Sequence, residues 1–153
     1  MPAQTSPIPV VNLTQPHKED WARLYAAYAA FYGVAQTAEM RERVWGWLQD
    51  PEHELEGLVA LGRDERPVGL AHFRPYTRPL AASTGGFLDD LFVDPGARGS
   101  GAAQALLGSV AGIGRSRGWS LIRWITREDN YRARAAYDRV AVKTDWVTYD
   151  LAL

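Results

Sequence analysis

The segment Arg98-Gly99-Ser100-Gly101-Ala102-Ala103 joins an apolar strand to an amphipathic helix, a setting suited to binding an anion. Glycines and small residues at a helix start let another molecule approach the backbone closely. The first N–H groups of the helix have no intrahelical partner, and its dipole is positive there. Together these favour phosphate, and Arg98 adds a fixed positive charge with a forked donor. Just upstream, Asp89 and Asp90 stand side by side in the apolar run Phe87 to Val93. Buried carboxylates are uncommon without a partner or a task. Neighbours on a strand point to opposite faces, so the two aspartates are expected to have separate fates. Asp89 has a task or is half of an ion pair with an arginine, and Asp90 is structural. Further on, Asn130 and Tyr137 are seven residues apart. Asn130 suits a helix N-cap. Tyr137 shares a helical face with Ala133 and Val140, which should look toward a sheet. His72 lies in a strand beside Phe73 and Arg74 and is a base or, more simply, a packing residue. His17, His53 and His72 are scattered, and with no cysteine in the chain nothing reads as a metal site.

Positioning these residues takes a mixed set of elements. Ile8 to Leu13 reads as a short strand. His17 to Tyr32 reads as a helix with Trp21, Leu24, Tyr25, Tyr28, Phe31 and Tyr32 along one broad face. Those aromatics are core, or the wall of a pocket. Thr37 to Gln49 is a second helix, N-capped by Thr37. Leu55 to Gly62 and Val68 to Tyr76 form a hairpin through Arg63-Asp64-Glu65-Arg66-Pro67. Tyr76 to Gly86 is expected to be a loop. The Phe87 strand ends at Asp94-Pro95-Gly96. A helix then runs from about Ser100 to Arg117, with Leu106, Val110 and Ile113 in helical spacing and Gly118 closing it. Trp119 to Thr126 is a strand, a short helix capped by Asp129-Asn130 reaches Val140, and Trp146 to Leu153 is the last strand. The order mixes hairpins with a crossover, so the fold is α/β with a mixed sheet rather than a doubly wound parallel one.

A chain of 153 residues, 46% of them hydrophobic, suits one globular domain spanning 1–153. The formal net charge of −1 argues against nucleic acid as the partner. No signal peptide and no apolar run of membrane-spanning length is visible, so a soluble cytoplasmic protein is expected.

Two familiar phosphate loops do not fit. A P-loop requires a Gly-Lys-Ser/Thr ending that no segment supplies. A dinucleotide fingerprint would need a small residue where Gln104 stands. The pattern Arg98-x-x-Gly101-x-Ala103 after a strand instead resembles the acyl-coenzyme A loop of the GNAT superfamily of N-acetyltransferases. The run Phe87-Leu88-Asp89-Asp90-Leu91-Phe92-Val93-Asp94-Pro95 is similar to the preceding strand of that superfamily, in the form found in its spermidine/spermine acetyltransferase-like branch. Asn130 followed by Tyr137 resembles a second family motif. Ala136 and Ala141 stand where the family usually has an aromatic residue and a glycine. Alanine is a poor left-handed residue, so the end of that helix is expected to differ in shape.

The resemblance implies a single-domain GNAT-like fold. Its mixed, mostly antiparallel sheet would splay at the acyl-CoA site and be flanked by about four helices. Acetyl-CoA would be the co-substrate. Backbone N–H groups of Gly99, Ser100, Gly101, Ala102 and Ala103, with Arg98, would hold its pyrophosphate. Leu91, Phe92 and Val93 would line the pantetheine arm, an N–H near Val93 would face the thioester carbonyl, and Asn130 would contact the cofactor. Tyr137 would protonate the departing thiolate. Asp89 occupies the place where polyamine-type relatives carry the acid that takes the amine proton. It is one methylene short, so a relay water is expected. The implied activity is acetyl transfer to a primary amine by direct attack, since no cysteine offers an acyl-enzyme route. A small cationic amine is the favoured partner. A protein or peptide amine, or a non-catalytic acyl-CoA-binding module, is the alternative. A homodimer is expected from the family. Nucleic acid, membrane and metal are not expected.

Overall fold

The structure, a computed structural model, describes residues 7–153. Five strands form one sheet in sequence order: β1 (Val10–Asn12), β2 (Glu56–Leu61), β3 (Pro67–Arg78), β4 (Ser83–Val93) and β5 (Ile122–Arg123). All neighbours are antiparallel except β4 and β5, which are parallel. Four helices flank the sheet: α1 (Lys18–Phe31), α2 (Ala38–Gln49), α3 (Ala102–Arg117) and α4 (Tyr131–Tyr137).

Alternation along the strands divides the core into two layers. Leu58, Ala60, Ala71, Phe73 and Leu88 face α3, where Ala102, Leu106 and Val110 are buried. Val59, Leu70 and Phe92 face the other way, onto Trp21 and Leu24 of α1 and Trp45 of α2. Helix α2 starts where expected: the Thr37 hydroxyl accepts from the Met40 N–H at 3.1 Å.

The stretch expected to be a loop between Tyr76 and Gly86 is instead paired. Strands β3 and β4 continue as one long hairpin, with Tyr76 opposite Gly85, Thr77 opposite Thr84 and Arg78 opposite Ser83. Pro75 is tolerated because β2 has already ended, its last partner on β3 being Phe73. An N–H missing on that vacated side costs no ladder bond.

The expected strand from Trp119 to Thr126 pairs only at Ile122 and Arg123. The expected strand from Trp146 to Leu153 is absent. That segment lies outside the sheet and is exposed along its length. Helix α4 ends at Tyr137, short of Val140.

Candidate active site

Strand β4 is joined to β5 at one end and open at the other. Gly86 pairs with Ile122 and Phe87 with Arg123, and no pairing follows. At the join, the Gly86 N–H donates to the Leu121 carbonyl at 2.9 Å. A Cβ on Gly86 would lie 2.4 Å from the Trp119 ring, so only glycine permits this approach. From Leu88 to Val93 the β4 edge facing β5 carries no strand. The sheet therefore splays along the residues expected to line an acyl arm, Leu91, Phe92 and Val93.

The open edge leads directly into the glycine loop. The Asp94 carboxylate accepts from the Gly96 N–H at 3.0 Å and from Arg23 at 3.1 Å. The Gly96 bond first, then Arg23, hold its pKa below the ordinary carboxylate value. This anchors a single 3-10 turn, Pro95–Ala97. Gly99 and Gly101 then take φ of +78° and +89°, conformations that other residues enter at a cost. Helix α3 starts at Ala102, two residues later than the sequence suggested. Among the described residues, the N–H groups of Gly101, Ala102, Ala103 and Gln104 have no backbone acceptor, as the first turn of a helix requires. Arg98, Gly99, Ser100 and Gly101 are exposed, whereas Ala102 is packed into the core and Ala103 is half-buried.

The two aspartates do not face opposite ways. Asp90 pairs with His72 and Leu88 with Phe73, so Asp89 is the extra residue of a β-bulge. The bulge brings both carboxylates onto the α1 side, where they meet residues two apart on β3. Asp89 takes the Arg74 guanidinium at 3.0 Å, and Asp90 takes His72 Nδ1 at 2.8 Å. Sequence periodicity misses this because one inserted residue leaves the strand's composition unchanged.

His72 is fully buried, and its partners fix its tautomer. The Trp21 indole N–H, which can only donate, reaches His72 Nε2 at 2.9 Å. Nε2 is therefore the acceptor, and Nδ1 carries the proton donated to Asp90. Both ring nitrogens are committed, which removes His72 from the candidate bases. The Tyr25 hydroxyl donates to the same Asp90 oxygen at 2.9 Å.

The environments of the two carboxylates push them apart. Burial, only partly offset by Arg74, raises Asp89 above the ordinary carboxylate range. Burial also acts on Asp90, but the hydrogen bonds from His72, Tyr25 and Tyr28 outweigh it and hold Asp90 below that range. Divergent neighbouring carboxylates often divide acid and base work between them.

Helix α4 reaches the site through α1. The Asn130 side chain caps α4, accepting from the Ala133 N–H at 3.5 Å, and donates to the Tyr32 hydroxyl at 3.3 Å. The Tyr137 ring packs edge-on against Trp124 with centroids 5.3 Å apart. Burial, and then the neighbouring Tyr32, push its phenol up to about 12. Edge-on contacts link Tyr32 to Tyr28 at 5.0 Å, and Tyr28 to Phe92 on β4 at 5.7 Å. Tyr25, Tyr28 and Tyr32 are half-buried, and Phe31 is exposed. One aromatic wall thus connects α4 to the open edge of β4. Among the described residues no group of three or more His, Cys, Asp or Glu could hold a metal ion.

Comparison with known proteins assigns this architecture. The family model described as "Acetyltransferase (GNAT) family" matches residues 21–141, and the chain belongs to that family. Its activity is therefore N-acetyl transfer. It is 28% identical over 142 residues to the D-amino-acid N-acetyltransferase HPA3 of Saccharomyces cerevisiae, covering 92% of this chain and 88% of that one. It is 32% identical over 116 residues to the aminoglycoside N(6')-acetyltransferase type 1 of Stenotrophomonas maltophilia, covering 68% of this chain and 76% of the relative. A solved structure of a probable acetyltransferase superposes with a TM-score of 0.84 at 23% identity, over 95% of this chain and 98% of the other. Among the described residues no helix is long and apolar enough to cross a membrane.

Proposed function

We propose that this protein transfers the acetyl group of acetyl-CoA to the primary amine of a small cationic acceptor by direct attack. The observation that carries the reading is the splay of β4 from β5 beyond Phe87, opening onto a glycine loop and a helix start where the N–H groups of Gly101, Ala102 and Ala103 have no backbone acceptor. Arg98 and the N–H groups from Gly99 to Ala103 would hold the pyrophosphate. Leu91, Phe92 and Val93 would flank the pantetheine arm, and Asn130 would contact it from α4. The bound co-substrate supplies an acyl group activated as a thioester.

Asp89 is the proposed acceptor of the amine proton. Its raised pKa makes it a better base than an ordinary carboxylate, and Arg74 fixes its position. The shorter aspartate side chain leaves room for a relay water. Tyr137 is proposed to face the leaving sulfur. With its phenol near 12 and a thiol near ~8.5, complete proton transfer to a free thiolate is uphill by about 5 kcal/mol. A hydrogen bond that strengthens as sulfur leaves is therefore the larger part of its contribution. The Leu88-Asp89-Asp90-Leu91 strand supports a cationic amine of the polyamine type. The named relatives support small amine acceptors more broadly, one acting on D-amino acids and one on aminoglycosides.

A panel of polyamines, amino acids and aminoglycosides, assayed with acetyl-CoA by thiol release, tests the reading. The chain has no cysteine, so every thiol detected comes from coenzyme A. Turnover with a cationic amine is expected. Coenzyme A binding without turnover of any amine or peptide would replace the reading with a non-catalytic acyl-CoA-binding module.

A further inference from the structure

Arg74 gives Asp89 only one corner of its guanidinium. Nε donates to both carboxylate oxygens, at 3.0 and 3.3 Å. An arginine and a carboxylate that serve only each other commonly pair through two parallel N–H bonds. Here Nη1 and Nη2, which carry most of the head's donors, have no acceptor among the described residues. This fork is not a loose chain end. The Arg74 side chain is 33% exposed, and its guanidinium lies over the Phe87 ring, 5.1 Å from the centroid. Asp89 and Phe87 thus hold the head from two sides and leave its outer edge uncommitted. Phe87 also meets Tyr76 edge-on at 5.7 Å, and the Tyr76 hydroxyl is buried with no hydrogen-bond partner among the described residues. A polar group left unpaired away from water is costly, and two uncommitted donors around one ring make a polar subsite.

The charges at this subsite specify what fits it. Arg74 and Asp89 lie on the α1 side of the sheet, where β4 has no β5 neighbour from Leu88 onward. They present a cation and an anion side by side. An ammonium brought to Asp89 is attracted by the carboxylate and repelled by the guanidinium. An acceptor with a carboxylate on the carbon that bears its amine matches both charges, whereas a diamine matches one and opposes the other.

We propose that Arg74 selects the acceptor: its Nη fork receives a carboxylate on the carbon that bears the reacting amine, so the acceptor is an α-amino acid. The proposal rests on the acetyl-transfer reading and narrows its cationic acceptor to one whose ammonium has a carboxylate neighbour. Nε stays with Asp89, and the fork sets where the amine stands relative to that base. A planar fork grips a carboxylate in two bonds, which a lysine in its place could not do.

Free arginine and its decarboxylated form, agmatine, test this. Both carry a guanidinium side chain and one primary amine, and they differ only in the carboxylate. Both enantiomers of arginine are assayed with acetyl-CoA by thiol release, above the acid limb of the pH profile, so that handedness does not decide the result. Wild type should favour the better enantiomer over agmatine by about tenfold or more in kcat/KM, the scale of a charged hydrogen-bonded partner. A carboxylate also changes the basicity of the amine beside it, so the decisive reading is the same ratio in Arg74→Gln. That ratio should fall by about tenfold or more, mainly through a raised KM for arginine. An effect of the substitution on Asp89 acts on both substrates alike and leaves the ratio unmoved. Arg74→Lys, which keeps a cation beside Asp89 but no fork, should lose most of the preference too, and it carries the comparison if the glutamine variant does not fold. Wild-type turnover of agmatine at or above that of both arginine enantiomers overturns the proposal and leaves acetyl transfer standing. So does a ratio that neither substitution changes. Turnover of neither compound overturns the proposal, and silence across the wider amine panel overturns the acetyl-transfer reading with it.

Discussion

His72 and Asp90 are joined by a 2.8 Å hydrogen bond beside the β3–β4 bulge, with the His72 ring fully buried. Trp21 occupies the other ring nitrogen, and Tyr25 shares the aspartate oxygen. A carboxylate this enclosed is favourable only because its donors replace water.

Asp90→Asn keeps the shape and removes the charge. It should destabilise the fold at neutral pH by about 1.5–3 kcal/mol, the range for hydrogen bonds to charged groups. The folded pKa of Asp90 is depressed, so its stabilisation is present above the unfolded value of ~3.9 and is lost as pH falls through the folded one. Denaturant titrations should therefore show a gap between wild type and variant that is constant near pH 7 and closes below about pH 4. A gap that persists unchanged into acid would mean the charge does not matter.

Gly101 tests the loop. It has φ of +89°, yet a Cβ there would meet no atom within 4 Å. Gly101→Ala should thus cost backbone strain alone, about 1–2 kcal/mol. Acetyl-CoA at 100 times its dissociation constant should stabilise wild type by about 2.7 kcal/mol. Gly101→Glu should abolish that gain, since it places bulk and negative charge where the pyrophosphate would lie. Thermal melts with and without acetyl-CoA decide the matter, and an equal ligand shift in all three proteins would move the phosphate elsewhere.

The parts of this site that were legible in the sequence are those written in local chemistry. Gly99 and Gly101 announce a small-residue loop at a helix start, Leu106 and Val110 their helix, and Asn130 its cap. What escaped depends on partners distant in sequence. The bulge at Asp89 exists only relative to β3. The pairing of Thr77 with Thr84 turns an apparent loop into a hairpin, because both residues suit a strand once a neighbour is supplied. The Val147–Leu153 alternation predicts a strand that the structure does not form, because period alone supplies no partner edge.

Tyr137→Phe retains the ring against Trp124 and removes the hydroxyl. Turnover should fall about 10²-fold while coenzyme A affinity is nearly unchanged. Because the phenol is pushed up to about 12, the wild-type rate should show no loss from its ionisation at any pH below about 10. Pre-steady-state thiol release separates the chemical step from product release. Equal release rates in the two proteins would make Tyr137 a packing residue.

Asp89 and Arg74 give the sharpest test of the base. If Asp89 accepts the amine proton, it must be ionised, so kcat/KM should drop as pH falls through its folded pKa. That value lies above the usual ~4 because burial outweighs Arg74. Asp89→Asn should lose about 10–10²-fold in kcat/KM for cationic amines, leave coenzyme A binding intact, and recover in part at raised pH as more free amine is present. Arg74 lowers the Asp89 pKa through its hydrogen bond and charge. Arg74→Gln should therefore raise that pKa further and shift the acid limb of the wild-type profile to higher pH, without creating one in Asp89→Asn. An amine that simply loses its own proton to water would give the same limb in all three proteins. Collapse of the fold in Asp89→Asn, with Arg74→Gln still active on an unmoved profile, would instead assign the 3.0 Å contact to structure alone.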